Sequence, residues 1–415
     1  MFFRFLAAAL ALTLTSHSSG AATVYGVSYT ATINKDRLNA DVSIALSGNV
    51  AALKKLEFTF KDGKRYSGWK GDGSVEVGPN RVIWTPKGSA PVLRYVHLIP
   101  HARKDGAYDA RITPTWALLR GDDLIPPARA RTTKGARSQA TLKFKLPKGW
   151  SAETAWPQKS PELFTINNPR RSFDRPTGWM MLGEIGTRLD RINGTLIAVT
   201  GPVGDGPRRQ DILAFLNWTL PEYRAAFGEL PDKFLIVGAA EKMWRGGLSG
   251  PNSFYIHPDR PLISENGTSS LLHELVHTVQ RIKAAPRHDW LVEGIAEFYA
   301  IEILHRSGGS SPERYARTHE WLRDWGKNVK SIYTSRSTGE ITARSVGILK
   351  ALDDELKRAT EGKKGIDDVS RALMRQRERV SLKQLRQITR ELAGRDLKAL
   401  SDAALPGAET SDDQP

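Results

Sequence analysis

The sequence predicts an α+β protein: an antiparallel β-sandwich-like domain first, then a mixed domain whose C-terminal part is mostly helical. Three observations carry this expectation. From Thr23 to about Arg175 apolar and polar residues alternate, the period of strands with one buried face. Beyond residue 176 strand-like and helix-like segments mix, and from Thr268 onward the apolar spacing is helical almost throughout. The chain has 415 residues, enough at about 150 per domain for two or three domains with their own cores.

The elements follow in order. Residues 24–33 and 38–46 alternate cleanly, and residues 56–60 end at Lys61-Asp62-Gly63-Lys64, a turn signal repeated at Gly71-Asp72-Gly73. Further strands are expected near 81–84, 107–117 and 141–146, completing a β domain over residues 23–175. In the next part, 176–306, residues 195–199, 233–237 and 253–257 read as strands and 211–227 as a helix. Helices are then expected near 268–284, 289–306, 311–325, 343–360, 366–376 and 381–394, broken at Pro286, Gly308-Gly309 and Gly362. Residues 307–404 form a helical C-terminal subdomain on this reading, and residues 405–415 a disordered tail.

At the other end, Arg4 precedes an apolar run over residues 5–14 and small residues up to Ala22. That pattern predicts a signal peptide over residues 1–22 and an exported protein, periplasmic or secreted. The run is too short to cross a bilayer, which takes about 20 residues, and no later segment is long and apolar enough.

Composition narrows the chemistry. The sequence contains no cysteine, which excludes disulfides, thiolate metal sites and cysteine nucleophiles. Lys+Arg 61 against Asp+Glu 45 gives a formal charge of +16, a balance that permits acidic partners without specifying one. The basic stretch with Arg129, Arg131, Lys134 and Arg137 lacks interleaved aromatics and reads as a solvated loop, so no nucleic acid is expected. His97 and His101 have ligand-like spacing, but Pro100 between them rules out a shared helical face. No phosphate loop and no Gly-x-Ser-x-Gly elbow occurs.

The strongest signal is His273-Glu274-Leu275-Val276-His277. Leu272, Leu275, Val276 and Val279 form one apolar stripe, and Thr268 or Ser269 can cap the helix that carries them. His273 and His277, four apart, project from one face about a turn apart and can share one metal. Glu274 is offset by one residue. It can overhang the open side and accept a proton from water without being a ligand. After a break at Ala285-Pro286-Arg287-His288, Asp289 can cap a second helix, short-linked and therefore alongside the first. Glu293 on it can reach the same metal, and Glu297, one turn on, can accept a hydrogen bond from a ligand imidazole. The bland alternatives are histidines at the edge of an apolar helix face and an acidic stripe near a helix N-terminus, where acids are favourable.

His273-Glu274-x-x-His277 followed by Trp290-x-x-Glu293-Gly294-x-Ala296-x-x-Tyr299 resembles the gluzincin metallopeptidases, most closely the glycyl aminopeptidase family. Three further segments are similar. They are the stretch from Phe144 to Trp150, the glycine-rich Gly246-Gly247-Leu248-Ser249-Gly250-Pro251-Asn252-Ser253, and residues 346–374 with Leu352-Asp353-Asp354-Glu355-Leu356. The resemblance implies a thermolysin-like catalytic domain over 176–306 and one Zn2+ per chain held by His273, His277 and Glu293. It further implies Glu274 as general base, Glu297 turned toward His273, and Gly246, Gly247 and Ser249 against a peptide or protein substrate. The implied activity is that of a zinc metallopeptidase, an aminopeptidase by its nearest family. Two positions depart from the pattern. Ser249 stands where relatives carry a glutamate for the substrate's amino terminus. Thr342 stands near where they carry an oxyanion-stabilising tyrosine, with Tyr333 the nearest tyrosine upstream. These departures leave open a catalytically inactive peptide-binding protein on the same scaffold.

Overall fold

The structure is a computed structural model that describes residues 23–168, 173–228, 230–240, 242–376 and 378–407. The expected signal segment and the end of the expected tail lie outside them. The fold is α+β, with sheets in the N-terminal half and helices dominating the C-terminal half.

Period-two sequences form the strands they predict. In Val24–Asn34 the residues Tyr25, Val27, Tyr29, Ala31 and Ile33 are all buried. This strand lies within a seven-stranded sheet between Asn39–Gly48 and Arg137–Lys145. Its pairing with Arg137–Lys145 is parallel, a departure from the wholly antiparallel expectation. A parallel neighbour must be supplied by a long crossover, and more than 100 residues of chain lie between these two strands. A four-stranded antiparallel sheet, Ala128–Thr132, Leu53–Thr59, Arg81–Pro86 and Gly73–Val77, contributes Phe58 and Trp84 to the same core as Tyr25 and Tyr29.

The boundary expected at 175/176 falls short of the last strand of this half. Trp179–Gly183 pairs with Trp116–Arg120 and Ser151–Thr154 in a third sheet. All five of its residues are buried. Met180 and Leu182 face the N-terminal core, while Trp179 and Met181 pack with Leu235, Val237 and Tyr255 of the next sheet. A strand buried on both faces has no alternation to read, which is why the sequence conceals it.

The following sheet carries the site. Its order is Ile185–Ile192, Thr195–Pro202, Lys233–Val237, Ser253–Ile256, Gly247–Gly250, parallel at the centre and antiparallel at both edges. Ile185–Ile192 was not expected, since its middle residues are exposed and break the pattern. The available signal was the turn pair Asn193-Gly194, both with positive φ, which suits a two-residue hairpin.

The helices Ser270–Gln280, Asp289–Arg306, Pro312–Gly326, Glu340–Ala359, Ile366–Met374 and Leu382–Ala393 fall within a few residues of the expected segments. No helix among the described residues is long and apolar enough to cross a membrane. Asp289–Arg306 runs through the core with Trp290, Phe298 and Tyr299 fully buried. At Gly294 it touches Glu340–Ala359 so closely that an added Cβ would lie 2.6 Å from Ser345 Cβ and 3.3 Å from Leu349 Cδ1. Gly294→Ala is therefore expected to destabilise the fold by about 1–3 kcal/mol through overpacking, read as a lower denaturation midpoint.

The disordered tail expected from residue 405 starts too early. Leu405 is 2% exposed within the helical core, and Pro406 accepts a hydrogen bond from Ile332 N at 3.1 Å. One apolar residue in a plain stretch carries no period, so burial of Leu405 leaves no mark in the sequence.

Candidate metal centre

The first site helix, Ser270–Gln280, starts where Ser269 Oγ accepts from Leu272 N at 3.3 Å. Leu272, Leu275 and Val276 anchor its apolar stripe in the core, which turns His273 and His277 toward a cleft. The second site helix begins at Asp289, but Asp289 is its first residue rather than its cap. Its carboxylate accepts from Ser337 N at 2.7 Å instead, tying the cleft's far wall to the helix start.

The two helices bring three donors together. His273 Nε2 and His277 Nε2 are 3.0 Å apart, and Glu293 lies 3.4 Å from the first and 3.5 Å from the second. Among the described residues these form the only group of three or more His, Asp or Glu whose ligand atoms lie within 4.8 Å of one another. His273 Nδ1 lies 2.8 Å from Glu297 Oε2. With the proton of His273 on Nδ1, donated to Glu297, the Nε2 lone pair is left for the cluster. Zinc takes imidazole nitrogens at about 2.0–2.1 Å and favours such a set of two histidines and a carboxylate with one position open. Two nitrogens 3.0 Å apart can both reach one such ion, so the donor set fits zinc.

The groups of the cluster act strongly on one another. Burial opposes the charge on Glu293, but hydrogen bonding to His273 and His277 holds its carboxyl well below the usual range. Burial likewise disfavours a charged His273, and Glu293 and Glu297 outweigh it to push the imidazole up. Glu274 differs from both. Burial raises its pKa, against the pull of the two histidines and a hydrogen bond from Ser249 N–H. A carboxylate made more basic beside a cluster of metal donors suits a proton acceptor.

Gly246, Gly247 and Ser249 all line the cleft. The strand Gly247–Gly250 is the sheet edge, and Gly247 is where Glu274 crosses it. A Cβ at 247 would sit 2.5 Å from Glu274 Cγ and 2.8 Å from its Oε1. Gly247→Ala must therefore displace the Glu274 side chain. The expected outcome is a fall of about 10²-fold in any activity that depends on Glu274, with metal content unchanged by elemental analysis. Normal activity in that variant would show that Glu274 does not need its present position.

The cleft encloses about 580 Å³ and is completed by residues the sequence did not single out: Trp244, Arg260, Trp321, Trp325 and Arg336. Trp321 and Trp325, four apart on Pro312–Gly326, were the legible signal, an exposed aromatic pair on a polar helix. Thr342 lines the cleft, whereas no tyrosine does among the described residues. Tyr333 packs edge-on against His288 at 5.7 Å. His288 itself sits before the second site helix with Nδ1 2.8 Å from Pro286 O and is not part of the lining.

No family model and no curated protein sequence matches the chain. Solved structures do. An aminopeptidase N family protein from Idiomarina loihiensis superposes with a TM-score of 0.61 at 15% identity, covering 84% of this chain and 70% of that one. An M1 zinc metallopeptidase from Deinococcus radiodurans gives 0.56 at 16% identity, over 90% of this chain and 91% of its own. A point mutant of that enzyme gives 0.57 at 15%, over 91% and 92%. The chain thus has the fold of the M1 zinc metallopeptidases, and it places a His-His-Glu cluster that could hold a metal in the cleft of that fold.

Proposed function

We propose that this chain is a zinc-dependent metallopeptidase that hydrolyses peptide bonds. The observation that carries the proposal is the cluster of His273, His277 and Glu293 with the half-buried Glu274 beside it. Zinc held by those three residues supplies Lewis acidity toward water and a peptide carbonyl. Glu274 accepts the proton of the attacking water and returns it to the leaving nitrogen. Glu297 holds His273 in the tautomer that presents Nε2. The edge strand Gly247–Gly250 offers backbone groups to an extended substrate, since a strand at a sheet edge can pair with one more chain. The N-terminal pattern at residues 1–22 supports an exported enzyme, periplasmic or secreted.

Elemental analysis of the purified protein tests the metal first. About one zinc per chain is expected in the wild type. A broad peptide library then tests turnover. A second reading, peptide binding without cleavage, is favoured by Ser249 and by the lack of a lining tyrosine among the described residues. Product release from the library would exclude it. Failure to bind zinc after loading would overturn the metallopeptidase proposal.

A further inference from the structure

The cleft walls contain three carboxylates among the described residues, and all three are engaged. Glu293 faces both histidines of the cluster, Glu297 faces His273 Nδ1, and Glu274, half-buried, holds Ser249 N–H. The edge strand along the cleft presents Ser249, an uncharged residue. A free amino terminus entering this cleft loses hydration without gaining a counter-charge, which is unfavourable.

The remaining wall charges have the opposite sign. Arg260 is pinned through Nε to Arg245 O at 2.9 Å, leaving its terminal nitrogens without an ion-pair partner among the described residues. Arg336, exposed in the loop ahead of Glu340–Ala359, has no carboxylate partner among the described residues either. Along the same cleft Trp321 and Trp325 form a tilted pair with centroids 4.9 Å apart, each 41% exposed. Large aromatic surfaces left open in a cleft favour a bulky apolar or aromatic group.

We propose that the cleft is built for acidic peptides that are internal or blocked on the amino side, with a bulky apolar residue placed on Trp321 and Trp325. Arg260 and Arg336 are the specificity-determining residues and bind carboxylates of the substrate, side-chain or C-terminal. The inference rests on the peptidase reading for its chemistry, while its test reads binding.

The test titrates the tryptophan fluorescence of the wild-type protein with four peptides that share an aromatic residue. They carry either glutamates or lysines and either a free or an acetylated amino terminus, and mass spectrometry checks that each stays intact. Where a peptide is cut, kcat/KM replaces the dissociation constant. The acetylated acidic peptide is expected to bind at least about tenfold more tightly than its lysine counterpart. Acetylation should strengthen binding rather than weaken it. Arg260→Gln and Arg336→Gln, both on exposed side chains, should each erode the charge preference, and the double Trp321→Ala/Trp325→Ala change should abolish most of the fluorescence response. Equal affinity for acidic and basic peptides, a preference for the free amine, or a charge preference that survives both arginine changes would overturn the inference. Tight binding of the acidic peptide without hydrolysis of any peptide would sink the peptidase proposal and leave this one standing. Efficient cleavage of free-amine, basic peptides would do the reverse.

Discussion

Glu274→Gln is expected to reduce peptide hydrolysis by about 10³-fold while leaving zinc content at the wild-type value. The substitution keeps the shape of the side chain and removes only its capacity to accept a proton. Its crossing at Gly247 remains open, because the amide occupies the space the carboxylate filled. Ser249 N–H still finds an acceptor, the amide oxygen, so the edge strand has no reason to shift. What changes is proton transfer. Burial makes the Glu274 carboxylate more basic than an exposed one, while the two nearby histidines moderate the effect. Proton affinity of that kind suits a group that cycles between charged and neutral forms. Turnover equal to wild type in this variant would remove Glu274 from the mechanism and return it to the role of a half-buried wall residue. Measuring zinc and turnover on the same preparation separates loss of the base from loss of the metal.

The parts of the fold legible in the sequence are those with one buried face. Val24–Asn34 and Ser270–Gln280 announce themselves by period because water contacts one side and the core the other. Trp179–Gly183 has no such contrast, being apolar on both faces, and Ile185–Ile192 has too little burial to show one. The site divides along the same line. His273, Glu274 and His277 are legible because three residues on one helix turn encode their own geometry. Glu293 and Glu297 are legible because a short link forces two helices side by side. Trp321, Trp325, Arg260 and Arg336 reach the cleft from three different segments, and only the tertiary fold gathers them. Local spacing encodes the chemistry of the centre, whereas long-range packing decides what the centre is shown.

The two glutamates of the second site helix should separate sharply when each is replaced. Glu293 lies 3.4 and 3.5 Å from the Nε2 atoms that face each other across the cluster, so it would share any cation they hold. Glu297 lies on the other side of His273, at Nδ1, and reaches the cluster only through that ring. Glu293→Ala is expected to strip the protein of zinc on dialysis and abolish hydrolysis, as His273→Ala should. Glu297→Ala removes the acceptor that fixes the His273 tautomer, and affinity should fall by about 10–100-fold, short of outright loss. Glu297→Gln should recover part of that, since its carbonyl oxygen can still accept from Nδ1 while the negative charge is gone. Zinc retention against a graded chelator series reads all four variants on one scale. If Glu297→Ala loses metal as completely as Glu293→Ala, Glu297 is a ligand and the helix has been read one turn out of place. If Glu293→Ala retains zinc, the third donor lies elsewhere, and the two histidines do not hold the ion in the arrangement drawn from their 3.0 Å approach.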